Sequence, residues 1–293
     1  MLLGAADAHA GDWLGLTPEV LRSIAAMGFS ATNVRVRNPH AATDADVARI
    51  RGWFADAGLV VGQTVGDYGG GLVSPDERVR EATVQFVERM VDLTARLGSP
   101  NTYLRPGSLN PAGAWTPHPG NRSPEVFERL VDATRRICRA AEDAGVRVAV
   151  EAGVVSPLHS PERVLEYIAA VGSPALGFNQ DPVNLVGSLD QAWDTTALID
   201  ACFDLLGRHT IGAHAKDVRV VDGLLPHLEE AEIGRGLIDH VTFLRRMQVA
   251  APDAHVLIEH LPMDRFPAAR EAFLAFSHQA GVAWDPPQVH GRG

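Results

Sequence analysis

Residues 146–181 read VRVAVEAGVVSPLHSPERVLEYIAAVGSPALGFNQD, and this stretch contains the repeating unit of the chain. VRVAV is a short β-branched run of the kind that forms a strand buried on both faces. It ends on a charge, Glu151. At Ser160-Pro161 the serine offers an N-cap oxygen and the proline a preset φ at the first helical position. PERVLEYIAAV then carries apolar residues at helical spacing, and Gly172 supplies a stop. Ala175–Gln180 is the next strand, followed by a second carboxylate, Asp181. A strand, a helix and a second strand in this order predict a right-handed crossover between parallel neighbours.

The unit recurs in both directions. Upstream, Met1–Ala6 precedes a helix over about 18–27, with Thr17 as N-cap, Pro18 at the first position and Gly28 as the stop. Ser30–Val36 precedes a helix near 44–57, running from Thr43 to Gly58. Leu59–Val65 precedes a helix from Ser74-Pro75 to Gly98, and Thr102–Arg105 one from Ser123-Pro124 to Gly145. Downstream, Ala175–Gln180 precedes a helix over roughly 189–206 closed by Gly207. Thr210–His214 precedes a helix near 238–250, and Ala254–Glu259 one near 267–280 closed by Gly281. Eight such units predict a single α/β domain, a (β/α)8 barrel over residues 1–282 with a C-terminal tail at 283–293. An open doubly wound sheet has no need of eight regular units.

Composition agrees with this. The chain has 293 residues, 46% hydrophobic and 21% charged, enough to bury a large core. The formal net charge of −10 and the lack of a basic, aromatic-interleaved stretch argue against a nucleic-acid partner. No apolar run reaches membrane-span length and no basic leader opens the chain, so a cytoplasmic protein with no membrane partner is expected. Cys138 and Cys202 read as reduced core thiols. Ala- and Leu-rich helix faces are compatible with a homo-oligomer.

In this fold, functional groups gather at the C-terminal strand ends. There the sequence offers Asp7, Arg37, Asp67 and Arg105 on strands one to four, and Glu151, Asp181, His214 and Glu259 on strands five to eight. Three carboxylates converging on one rim repel one another unless a cation or protons intervene. A divalent metal held by Glu151, Asp181, His214 and Glu259 answers that. The ligand set suits Mn²⁺ best, and also Mg²⁺, Co²⁺ or Zn²⁺.

The pattern VAVEAG, FNQDPVNLVG, IGAHAKDV, IGRG-x-ID and VLIEH resembles the xylose isomerase-like barrel superfamily, over nearly the whole chain. That family includes sugar epimerases and isomerases and inosose dehydratases. The resemblance implies that the same four residues bind the metal and that the two glutamates double as acid and base. It implies a small sugar substrate, its carbonyl and a neighbouring hydroxyl chelated by the metal. Glu151 would abstract the proton next to the carbonyl, and Glu259 would return one through a metal-stabilised enediolate. This is isomerase or epimerase chemistry. The same first step serves a lyase or dehydratase acting on an inosose or a 3-keto-glycoside by β-elimination.

Two departures from the ketose 3-epimerase pattern count against simple ketose 3-epimerisation and add weight to elimination, with isomerase or epimerase chemistry still ahead. Asn184 stands where those enzymes place a substrate-binding His, and Pro157 where they place a Glu. HAKD supplies Lys216 and Asp217 in place of their Arg, as in inosose dehydratases. Lys216 reads as a third catalytic residue, a proton donor to a leaving group, or as the ion-pair partner of Asp217. Arg37, Arg105, His118, Asn184 and Asp217 are expected to bind substrate, with Trp115 covering a sugar face. Arg37 and Arg105 have an alternative as partners of rim carboxylates such as Asp67. His260 is expected to point away from the interior, by strand alternation. An endonuclease-like hydrolase with further metals on His9, His118 and His159 is a minor alternative, and a metal-free binding barrel another.

Overall fold

The computed structural model describes residues 1–9, 11–225 and 227–286. Eight parallel strands close into a barrel. They are β1 (Leu2–Ala5), β2 (Ala31–Val36), β3 (Val60–Gly66), β4 (Asn101–Leu104), β5 (Arg147–Val150), β6 (Leu176–Gln180), β7 (Thr210–Ala215) and β10 (His255–Ile258). The closing pairing is β1 with β10, in register from Leu2↔His255 to Ala5↔Ile258. The predicted single (β/α)8 barrel is therefore the fold.

Helices α1 (Pro18–Ala26), α2 (Asp44–Ala57), α3 (Glu77–Leu97), α4 (Pro124–Ala144), α5 (Pro161–Val171), α6 (Leu189–Trp193), α7 (Thr195–Leu206), α8 (His240–Ala250) and α9 (Phe266–Ala280) surround it. Thr17, Thr43, Ser123 and Ser160 each accept a backbone N–H as N-caps, as their positions predict. Gly145 and Gly172 end α4 and α5 with φ near +70°, a conformation that costs a residue with a Cβ. Among the buried side chains between helices and strands are Leu21, Ile50, Leu130, Tyr167, Phe243 and Phe273.

Some boundaries move for local reasons. α3 starts at Glu77 rather than Pro75, because the Asp76 carboxylate caps Arg78 N. The helix expected over 189–206 is two, broken at Asp194, whose side chain caps α7. Gly207 is not a left-handed stop: it has φ −53° and opens a short 3₁₀ turn. The long connection between the seventh strand and the helix expected near 238 contains a separate antiparallel hairpin, β8 (Asp217–Val221) with β9 (His227–Ala231). Of the expected tail, Trp284 packs on Phe273 and donates to Ser277 Oγ, so the barrel body reaches at least that far. Residues 287–293 lie outside the described residues.

The barrel interior below the rim is polar, where such barrels are usually filled by Val, Ile and Leu. Gln63, Asn101, Asn179 and His255 are all buried there. Gly212 makes the room: a Cβ at that position would stand 2.6 Å from His255 Nε2. Burial drives the His255 imidazole down to about 3, with the His214 charge a second cause, so it stays neutral.

Candidate active site

A cavity of about 480 Å³ opens at the C-terminal ends of the strands. On one side β5, β6, β7 and β10 bring together Glu151, Asp181, His214, Lys216 and Glu259, all buried. Donor atoms of Glu151, Asp181 and His214 lie within 4.8 Å of one another. Glu259 stands beside this triad, its Oε2 3.0 Å from His214 Nδ1.

Glu151 is fixed from several directions. Oε1 accepts from Tyr103 Oη at 3.0 Å and Asn184 Nδ2 at 2.7 Å, and Oε2 from Asn179 Nδ2 at 2.8 Å. Asn184 Nδ2 also donates to Asp181 Oδ2 at 2.9 Å. Burial, then the Glu151 charge, raises the Tyr103 phenol well above its ordinary value, so it remains a donor.

His214 shows whether a cation suits the cluster. Gln63 Nε2 donates to Asn101 Oδ1 and Asn179 Oδ1, which turns Gln63 Oε1 toward His214 Nε2 at 3.0 Å. An amide oxygen only accepts, so this contact places the ring proton on Nε2. Nδ1 then faces Glu151 Oε2 at 2.8 Å and Glu259 Oε2 at 3.0 Å. Neither carboxylate satisfies Nδ1 in hydrogen-bonding geometry, and Asp181 Oδ1 is also buried without a partner. A lone pair and carboxylates converging on one point require a proton or a cation between them. Burial opposes charging of His214, but Glu259 and Glu151 overcome it and raise the imidazole well above its ordinary value.

The charge balance points the same way. Lys216 Nζ lies 2.6 Å from Glu259 Oε1 and 2.9 Å from Asp181 Oδ2. With His214 neutral, as a metal ligand must be, one ammonium against three carboxylates leaves two negative charges uncompensated. Burial accordingly pushes Asp181 up to about 7 despite Lys216. Glu259 goes the other way: the charges of His214 and Lys216 outweigh its burial and hold it well below the carboxylate range. Oxygen and imidazole donors with two charges to neutralise fit a divalent cation.

The other predicted residues separate. Asn184 and Arg105 line the cavity, as does Trp115. Arg37 does not: it is exposed, its backbone N–H donates to Asp12, and Arg35, two residues earlier on the inward face of β2, takes that place. His118 is exposed and caps the turn at Pro119–Arg122 through Nδ1. Asp217 is a loop anchor rather than a substrate ligand. Its Oδ1 accepts from Val218 N and Ile238 N, and its Oδ2 from Gly234 N and Gly236 N. Lys216 does not pair with Asp217, because adjacent strand residues face opposite ways. Among the described residues, His9, His118 and His159 join no ligand cluster.

His260 corrects the alternation argument. Its φ of 60° breaks the extended backbone and turns the ring back to the cavity, where Nδ1 meets Glu230 Oε2 at 2.8 Å. Glu230 reaches the site on β9, 3.5 Å from Lys216 Nζ. Sequence reasoning missed Glu230 because it missed the hairpin. Tyr103, Asn179 and Gln63 were legible in principle, as polar residues inside apolar strand runs.

Opposite the acidic cluster, Asp7, Asn33 and Arg35 form a second polar group. Arg35 Nη2 meets Asp7 Oδ2 at 2.5 Å and Asn33 Nδ2 donates to Asp7 Oδ1 at 2.9 Å.

The likeness to solved structures extends over nearly the whole chain. A D-tagatose 3-epimerase-like protein is 18% identical, with 96% of this chain and 98% of that one covered and a TM-score of 0.74. A xylose isomerase-like TIM barrel protein from Mycobacterium smegmatis, in complex with magnesium, is 17% identical over 95% and 97%, TM-score 0.73. The 3-keto-D-glucoside 4-epimerase from E. coli is 16% identical over 95% and 99%, TM-score 0.69. At such identities the likeness speaks for the fold. The Xylose isomerase-like TIM barrel family matches residues 21–276, more than half of the sequence, and the chain belongs to that family.

Proposed function

We propose that the protein is a divalent-cation-dependent sugar isomerase or epimerase that moves a proton next to a carbonyl. The observation that carries this reading is His214 Nδ1, set between the carboxylates of Glu151 and Glu259 at 2.8 and 3.0 Å. A bound divalent cation, Mn²⁺ being the best match to the donor set, would supply Lewis-acid polarisation of the substrate carbonyl. Glu151, Asp181, His214 and Glu259 would hold it.

The chain's own residues do the rest. Glu151 is the base: Tyr103, Asn179 and Asn184 donate to its carboxylate and orient it. Glu259, from a strand on the far side of β6 and β7, delivers a proton to the opposite face or to the adjacent carbon. The proton that Glu259 delivers reaches it from the Lys216 ammonium, which donates to its Oε1; Lys216 is recharged from solvent as Glu151 gives up the proton it took. The placement of Lys216 favours a second reading, elimination. An ammonium 2.6 Å from Glu259 can protonate a departing hydroxyl or alkoxide β to the carbonyl.

The test is incubation of Mn²⁺-loaded protein in D₂O with ketoses, inososes and 3-keto-glycosides, followed by NMR, beside Glu259→Gln. Deuterium at one carbon with an inverted centre or a moved carbonyl is the expected result. Loss of water or an aglycone would select elimination. A metal-loaded protein that exchanges no C–H proton in the panel would overturn both.

A further inference from the structure

On the loops just beyond the strand ends that carry the acidic cluster, the cavity has a side wall with little to offer a hydroxyl. Trp115 from the loop after β4, Val154 and Val155 after β5, Val186 after β6 and Leu228 on β9 all line it. Trp115, Val154, Val155 and Leu228 remain partly open to solvent. A sugar presents hydroxyls around its ring, and apart from the indole N–H these side chains can neither donate to nor accept from them. Water held against such a wall is readily displaced by an apolar group.

The wall is built firmly into the site. Trp115 lies so close to Gly153 that a Cβ there would stand 3.0 Å from its ring. Val154 N donates to Asn184 O at 2.9 Å, and Asn121 Nδ2 donates to Val155 O at 2.8 Å. These segments begin two residues after Glu151 and flank Asn184, so whatever the wall covers is held next to the reacting carbons. Across the cavity, Asp7, Asn33 and Arg35 supply the donors and acceptors that sugar hydroxyls need.

We infer that the substrate is a sugar bearing an apolar substituent, such as the aryl aglycone of a glycoside, seated against Trp115, Val154, Val155, Val186 and Leu228. This rests on the sugar reading of the site and narrows it to glycoside-like substrates.

Binding of inert glycosides tests the wall without turnover. Phenyl and methyl β-D-glucopyranoside are titrated into the Mn²⁺-loaded protein by calorimetry. The phenyl compound is expected to bind at least about tenfold more tightly. Trp115→Ala and Leu228→Asn should each cut that preference below about threefold. Leu228 sits on a hairpin outside the barrel, so its replacement spares the core, and thermal melts verify that both variants fold. Equal affinity of the two glycosides, binding of neither, or a preference unchanged in both folded variants would overturn the inference. The D₂O exchange reads separately: failure there with a preserved phenyl preference removes the proposed reaction and leaves the apolar subsite standing.

Discussion

Strands β1 to β4 bring Asp7, Asn33, Arg35 and Arg105 to the rim, whereas β5, β6, β7 and β10 bring Glu151, Asp181, His214 and Glu259. In the first half the side chains are largely settled within the protein, Arg105 Nε being the one buried atom of the four without a partner. Asp7 is paired with Arg35 and Asn33, and the Arg105 guanidinium lies 4.9 Å from the Tyr68 ring centroid and donates to Gly66 O. In the second half Lys216 is one cation for three carboxylates, and buried donor atoms of His214 and Asp181 are without partners. A neutralised rim binds a neutral, hydroxyl-rich molecule, while an under-neutralised one waits for a cation. On the function proposed above, hydroxyl recognition falls to the first half of the rim and proton transfer to the second.

The largest effect should follow from the second wall. Glu151→Gln keeps the size of the side chain and removes the base, so the rate of C–H exchange should fall by about a thousandfold. Phenyl-glucoside affinity should change little. If exchange survives in this variant, the division of labour between the walls is wrong, and Glu259 alone moves the proton.

Next comes the hairpin that carries Glu230 to Lys216. Asp217→Ala strips the backbone N–H groups of 218, 234, 236 and 238 of their acceptor and should cost about 3 kcal/mol of stability, read by thermal denaturation. The pH dependence has a definite sign. Burial works to raise Asp217, but the hydrogen bond and charge of His240 and the backbone N–H donors outweigh it and lower the pKa. A lowered carboxylate contributes stability above its unfolded value and loses it as pH falls through the folded one. Wild type should therefore lose more stability than Asp217→Ala on acidification below about pH 4. Parallel acid profiles would show that the carboxylate does not anchor the loop as an ion.

These two neighbours, Lys216 and Asp217, also show what a sequence can reveal. Ser-Pro starts, Gly stops and charges closing β-branched runs are local signals, so the barrel and its four strand-end ligand candidates were readable from residues a few positions apart. The segment 217–231 was not: it carries the turn dipeptide Asp222-Gly223, but three further residues separate that from HLEEA, a run with no β-branched residue to mark a second strand. The side on which a rim residue falls depends on where extended backbone ends. Arg37 lies one residue past β2 and turns outward, and His260 at φ 60° turns inward against the alternation. Tyr103 and Asn179 needed only the two-residue period of a strand, applied downward from Arg105 and Asp181.

A third difference between the walls is their response to protons. Burial lifts Asp181 to about 7, so below that pH a proton occupies the site a cation must take. Mn²⁺ affinity should drop about tenfold between pH 8 and pH 6 from this group alone, measured by calorimetric or EPR titration. His214, raised well above its ordinary value, steepens the fall. Glucoside binding to the Mn²⁺-saturated protein should stay flat over the same range. An Mn²⁺ affinity independent of pH would mean that the cation does not displace these protons, and hence that Asp181 and His214 are not its ligands.

The smallest effect belongs to the opposite wall. Asp7 adopts φ 55°, a conformation that costs a residue with a Cβ about 1 kcal/mol, and Asn33 Oδ1 holds it there by accepting Asp7 N at 2.8 Å. The strained turn aims a carboxylate at Arg35 and keeps both groups at the cavity edge, about one quarter of each side chain exposed. Arg35→Met retains much of the aliphatic stem and removes the hydrogen-bond donors. Contacts of this kind hold substrate and transition state alike, so KM should rise by about fivefold with kcat nearly unchanged. A matching collapse of kcat would move Arg35 into the reacting machinery and erase the contrast between the walls. A change in neither constant would place the sugar hydroxyls elsewhere, on Arg105 or on the Glu230–His260 pair of the hairpin side.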